Sequence, residues 1–296
     1  SNTIAGATTF NNTGTLTLGD GGDATAFTGG VVATAPSSKT INGTVSAAGT
    51  GVINLGTTGV SVTGDSTVGG TSTGLVTLGN ATLADGVTLT LGAGAATPIS
   101  TGSISGTAAG AASNVTINTT GAVTVGGAVG TDIGTLTITN SGGTTFQNTV
   151  NAATIAITGT TVGNTVAFQG NTTATSAMTV GAGAYNVSMT GSSNTIAGAT
   201  TFNNTGTLTL GDGGGDTFTF SGGINTNPVA GTVTINGTIN TTNTALNLGA
   251  ITLGGDSTLS AGNGQIDVGV VTGAGSSLAA NTTGATSFNG AISGVN

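Results

Sequence analysis

The sequence predicts an all-β protein built as a β-solenoid with roughly 21–24 residues per coil. Three observations predict it. Residues 1–22, SNTIAGATTFNNTGTLTLGDGG, recur without a change at 193–214. Short apolar-alternating segments, separated by Gly, Asn, Ser or Asp, run the length of the chain. Only 3% of the 296 residues are charged, whereas 57 are Gly. Helix is disfavoured throughout, because Glu is absent and Gly or Thr interrupts every window long enough to form one.

The strands follow in order. Thr15-Leu16-Thr17-Leu18, Val87-Thr88-Leu89-Thr90-Leu91, Val115-Thr116-Ile117, Thr135-Leu136-Thr137-Ile138, Ala153-Thr154-Ile155-Ala156-Ile157 and Val187-Ser188-Met189 each alternate polar with apolar residues. Each reads as a half-buried strand of a few residues ended by turn chemistry. Strands this short cannot bury their inner face alone, so each coil must stack on the last. The Thr-Leu-Thr segments begin at Thr15, Thr88, Thr135 and Thr207, with gaps of 73, 47 and 72. These are close to three, two and three times about 24, which predicts three strands per coil, and coils of about 21 residues fit almost as well.

A longer repeat contains this beat. Thr40-Ile41-Asn42-Gly43-Thr44 matches Thr234-Ile235-Asn236-Gly237-Thr238, Asn54-Leu55-Gly56 matches Asn247-Leu248-Gly249, and Gly64-Asp65-Ser66-Thr67 matches Gly255-Asp256-Ser257-Thr258. The offsets of successive matches, 192, 194, 193 and 191, are those of strands in register with loops that gain or lose a residue. The expected organisation is one continuous solenoid over residues 1–296, a segment of a longer protein, with the long repeat at 1–192 and its next copy beginning at 193.

Composition narrows the function. With no His, no Cys and no Glu, the chain lacks most general acids, bases and metal ligands, so an enzyme is not expected. Nucleic-acid binding needs clustered cations, and Lys39 is the one basic residue. No disulfide, thiol nucleophile or zinc site can be built without cysteine. No apolar run approaches the roughly 18 residues of a membrane helix, and no membrane insertion of this segment is expected.

Four sets of residues invite a sharper reading. Asp20, Asp23, Asp212 and Asp216 lie in Gly-Asp loops similar to those that cage calcium in β-rolls. Those loops repeat in tandem, whereas these stand a whole long repeat apart, so plain turns are expected and calcium is the alternative; no other cofactor is implied. Asp65 and Asp256 occupy equivalent Gly-Asp-Ser-Thr turns, without the paired carboxylates of a polysaccharide-active enzyme. Asn42, Asn80, Asn114 and Asn236 begin Asn-x-Ser/Thr sequons, and stacked Asn amides forming ladders are the structural expectation. Thr15, Thr17, Thr88, Thr90, Thr135, Thr137, Thr207 and Thr209 would form an ice- or ligand-binding face if all shared one side, although Thr40-Ile41-Asn42 and Val60-Ser61-Val62 interrupt the array.

Runs such as Ile251-Thr252-Leu253-Gly254-Gly255-Asp256-Ser257-Thr258-Leu259 and Gly284-Ala285-Thr286-Ser287-Phe288-Asn289-Gly290-Ala291-Ile292 resemble the repeats of giant bacterial surface proteins, the filamentous-haemagglutinin-like and autotransporter passenger adhesins. The resemblance covers nearly the whole chain in style and composition. It implies a right-handed parallel β-helix exported across an outer membrane to the cell surface. The near absence of Lys, Glu and Arg departs from that family and favours a structural fibre over a receptor-specific adhesin. The expected function is a stiff extracellular rod for attachment or sheath formation, with ice binding as the alternative and a polysaccharide-active enzyme third. Expected partners are further copies of itself, stacked head to tail or bundled laterally, and cell-surface or glycan ligands.

Overall fold

The computed structural model describes residues 1–108 and 110–296 and is all-β, with no helix among the described residues. Parallel strands stack as a β-solenoid of about 14 turns. The chain divides into two units, Ser1–Asn148 and Thr149–Asn296, a boundary that does not coincide with the start of the second long repeat.

Each unit is built from three-sided coils, one strand per side. In the first unit, stack A begins with Asn2–Ile4 and rises through residues 23–27, residues 43–47, Ser66–Gly70, Thr88–Leu91, Ser113–Asn118 and Ile133–Asn140. Stack B runs from Thr8–Thr9 through Val31–Val32, Ile53–Asn54, Val76–Leu78, Ile99–Thr101 and Val123–Val125 to Thr144–Phe146. Stack C runs from residues 15–18 and 38–41 through Val60–Val62, Ala81–Leu83 and Ile104–Gly106 to Val129–Gly130.

The second unit repeats the plan. Stack D contains Ser193–Ile196, Thr217–Phe220 and residues 238–241. Stack E contains Thr200–Asn204, Ile224–Asn225, Leu246–Leu248, Ile266–Val268 and Thr286–Phe288. Stack F contains Asn186–Met189, Leu208–Leu210 and residues 233–235. Coil length, read as the step between stacked partners, reaches extremes of 18 residues from Val233 to Ile251 and 26 from Thr88 to Asn114. Most steps lie near the 21–24 that the sequence predicts.

The core is a set of columns, because the strand period of two sends every other residue inward and parallel stacking puts like positions over one another. Val45, Val68, Leu91, Ile117 and Ile138 form one such column in stack A, all essentially inaccessible. Val187, Leu208, Val233, Ile251 and Val271 form another in stack F. Burying each of these side chains stabilises the fold by about 1.5–3 kcal/mol. Small and β-branched residues suit this narrow interior. Phe10 packs edge-to-face on Phe27 and Phe202 on Phe220, each pair with ring centroids 6.1 Å apart. The two pairs occupy equivalent places in the long repeat, so its copies reproduce packing as well as sequence.

Lys39 breaks the pattern. It stands in an inward column between Leu16 and Val60 and is only 2% exposed. Its Nζ donates to the Pro36 carbonyl at 2.9 Å and to the Thr58 hydroxyl. Burial pushes its ammonium below the usual lysine range. The equivalent residue of the second copy is Val233, also buried. Replacing a buried ammonium by a well-packed apolar side chain removes a desolvation cost. Lys39→Val is therefore expected to stabilise the protein by about 1–2 kcal/mol, a rise of a few degrees in Tm. The sign of the pH effect follows from the lowered pKa. The unfolded chain holds the Lys39 proton more tightly, so wild-type stability rises with pH between the lowered value and that of free lysine, and the variant loses this rise. Thermal unfolding across alkaline pH checks both; a lower Tm for the variant contradicts the assignment.

Candidate functional site

The Gly-Asp loops are bulges between two sides of a coil. Leu18 pairs with Ile41 and Asp23 with Gly43, so Gly19-Asp20-Gly21-Gly22 loops out over the single residue Asn42 of the next coil. Gly19 has φ +84°, and a Cβ there would lie 2.1 Å from the Asn42 carbonyl oxygen. Gly211, its equivalent, has φ +88° and the same clearance problem at 2.0 Å from the Asn236 oxygen. Only glycine fits both the left-handed backbone and the close approach.

The carboxylates of these loops turn back on their own backbone. Asp216, 7% exposed, accepts the amides of Asp212 at 2.9 Å and Gly213 at 3.0 Å through Oδ2. Asp23 accepts one amide, that of Asp20, at 3.3 Å in a loop one glycine shorter. Asp20 and Asp212 themselves are exposed. Among the described residues, no group of three or more His, Cys, Asp or Glu is placed to hold a metal ion.

Asp65 and Asp256 prove to be ties between coils. Asp65 Oδ1 accepts the Thr88 amide at 2.8 Å, and Asp256 Oδ1 accepts the Ser277 amide at the same distance. The Ser277 backbone bond, joined by its side chain, holds the Asp256 carboxyl below the usual carboxylate range. Asparagine does the same work without charge. Asn80 Oδ1 receives the Ser103 amide and Asn114 Oδ1 the Thr135 amide, each at 3.0 Å. These are amide-to-backbone ties in place of the expected amide ladders, because unequal coil lengths set each Asn below a backbone N–H of the next coil. Asn42 and Asn236 lie against Gly64 and Gly255, where any Cβ would meet their Oδ1 atoms at 2.2 and 2.5 Å.

The threonines named from the sequence do not share one side. Thr88 and Thr90 stand on stack A with Thr135 and Thr137, and Asn114 and Thr116 lie between them in register. Thr15 and Thr17 belong to stack C, over Ser38 and Thr40. In the second unit Thr209 is in stack F, and Thr207 precedes it with its amide on Asn186 Oδ1. The face proposed from the Thr-Leu-Thr spacing is thus split between stacks. Register instead assembles columns that the spacing did not show: Thr44, Thr67, Thr90, Thr116 and Thr137 on stack A, and Thr17, Thr40, Ser61, Thr82 and Ser105 on stack C. Like hydroxyl residues paired directly across neighbouring strands contribute about 0.2–1 kcal/mol each.

Because Asp216, itself buried, accepts two part-buried amides and Asp23 makes one long contact, Asp216→Ala is expected to cost about 1–3 kcal/mol and Asp23→Ala clearly less. Chemical denaturation of the two variants measures the difference. Chelator is expected to leave the Tm of the wild type unchanged, and a drop would assign the loops to calcium. Compared with known proteins, the chain matches no family model, no curated protein and no solved structure.

Proposed function

We propose that this chain is part of a stiff structural and adhesive rod on the bacterial cell surface, of the filamentous-haemagglutinin-like kind, with no catalytic role in this segment. The observation that carries the reading is the division of labour along stack A. There the inward column is Val45, Val68, Leu91, Ile117 and Ile138 and the outward one Thr44, Thr67, Thr90, Thr116 and Thr137, so successive coils offer their neighbours the same contact. Coil-on-coil hydrogen bonding makes such a rod stiff, and repetition turns one weak surface contact into a multivalent one.

The surface chemistry supports association of like with like. The net charge of −8 is small for 296 residues, and the one cationic side chain is buried. Repulsion between copies is correspondingly weak. Columns of Thr and Ser hydroxyls then meet across parallel rods as donors and acceptors at once. The purified chain is expected to form long thin fibres by electron microscopy, with an axial reflection near ~4.8 Å in fibre diffraction. A protein that stays monomeric at high concentration and shows no lateral association would overturn the reading.

A further inference from the structure

The second unit carries a groove that the rod itself does not need. Along stack E, a hollow of about 440 Å³ is lined by Thr179, Gly181, Ala199, Thr201 and Asn203. A second hollow of about 140 Å³ shares Ala199 and Thr201 and runs on past Gly222, Gly223, Asn225 and Asn247. Together they make one shallow trough crossing successive coils, with Ile157, Met178, Val180 and Ile224 also in its lining.

A single file of polar side chains lies along it. Thr201 pairs with Asn225, Asn225 with Asn247, and Asn247 with Asp267. Thr179 precedes Val180, whose partner is Phe202, and so stands beside Thr201. These groups repeat at the strand spacing of about 4.8 Å. Asp267, beyond the two hollows, accepts from the Asn289 amide, but the groups that line the trough keep hydrogen-bonding capacity to spare. Elsewhere Asn80, Asn114, Asn171, Asn186, Asn194 and Asn243 use their side-chain oxygens to tie a neighbouring coil. In the trough the side chains of Thr179, Thr201 and Asn247 make no hydrogen bond within the described chain. Asn225 accepts only from the Asn227 amide, which leaves its NH₂ group to donate. Asn203 donates to the Val180 carbonyl, which leaves its oxygen to accept.

We propose that this trough binds an uncharged polysaccharide laid parallel to the solenoid axis. A linear file of hydroxyl and amide groups that can donate and accept fits a polymer that presents hydroxyls once per unit, and an extended hexose chain advances by close to one strand spacing per ring. A peptide strand would need an open sheet edge, but the backbone groups of stack E are taken by the coils on either side. An anionic polymer would need cations, and no residue lining the trough is basic. The proposal rests on the adhesive reading and adds the class of its ligand, yet fibre formation does not depend on it, so the two fail separately.

The test is retention of the full chain on insoluble β-1,4-glucan, with soluble neutral oligosaccharides as competitors and a polyuronate as the anionic control. Wild-type protein is expected to be retained and to be released more effectively by longer neutral oligosaccharides. The Asn225→Ala/Asn247→Ala double variant is expected to bind at least fivefold more weakly with an unchanged Tm, whereas Thr124→Ala, on the outward side of stack B in the first unit, retains full binding. Release by the polyuronate as effective as by neutral chains, full retention of the double variant, or no retention of wild type on the glucan would overturn the proposal, with fibre formation reporting independently on the rod.

Discussion

The rest of the structure depends on hydrogen bonding between successive coils, because no coil can bury its own inner face. Each inward residue packs on the residue one coil away, so its burial is a property of the stack. Residues 1–22 and 193–214 show this without any difference in sequence. Ile196 is fully buried, since Ser193–Ile196 lies between residues 173–174 and Thr217–Phe220; Ile4, the same residue in a strand paired to residues 25–27, is 38% exposed. Stability in such an architecture is close to a sum of nearest-neighbour terms.

The same constraint explains the corners. Coils of unequal length must still present their strands in register, so the surplus residues are gathered between the sides. Glycine closes the corner where the next coil's backbone approaches too near for a Cβ, as at Gly19 and Gly211. Asn and Asp then supply acceptors for backbone amides that the ladder leaves over, as at Asp65 and Asp256. An unpaired buried amide would cost about 1–3 kcal/mol, so the abundance of Asn and Gly follows from geometry before any question of ligand. Where amides remain unspent, as along stack E, they stand out against that background.

Much of the fold was legible in the sequence because alternation and repeat length report the same thing, a strand side repeated once per coil. Thr88–Leu91 and Ile133–Asn140 lie where their Thr-Leu-Thr segments predicted. What the spacing could not show was which segments share a side: a uniform step joins Thr15 to Thr88, whereas steps of 18 to 26 residues set them on different stacks. The inward place of Lys39 was hidden by its charge, and the one signal available was Val233 at the equivalent repeat position. The carboxylates of Asp65 and Asp256 read as turn formers, because an amide more than twenty residues away leaves no local trace. The trough along stack E was invisible for the same reason, being assembled from residues of separate coils more than twenty positions apart.

The account is tested most directly by covalent capture of its register. The chain has no cysteine, so any introduced pair reports alone. Thr67 and Thr90 are outward partners on adjacent coils of stack A, at a separation a disulfide can span, while Thr67 and Thr116 are two coils apart. Under mild oxidation, the Thr67→Cys/Thr90→Cys variant should form an intramolecular disulfide, seen by mass after digestion, and the Thr67→Cys/Thr116→Cys variant should not. Failure of the adjacent pair to close, or equal closure of both, would contradict the stacking on which the fold rests.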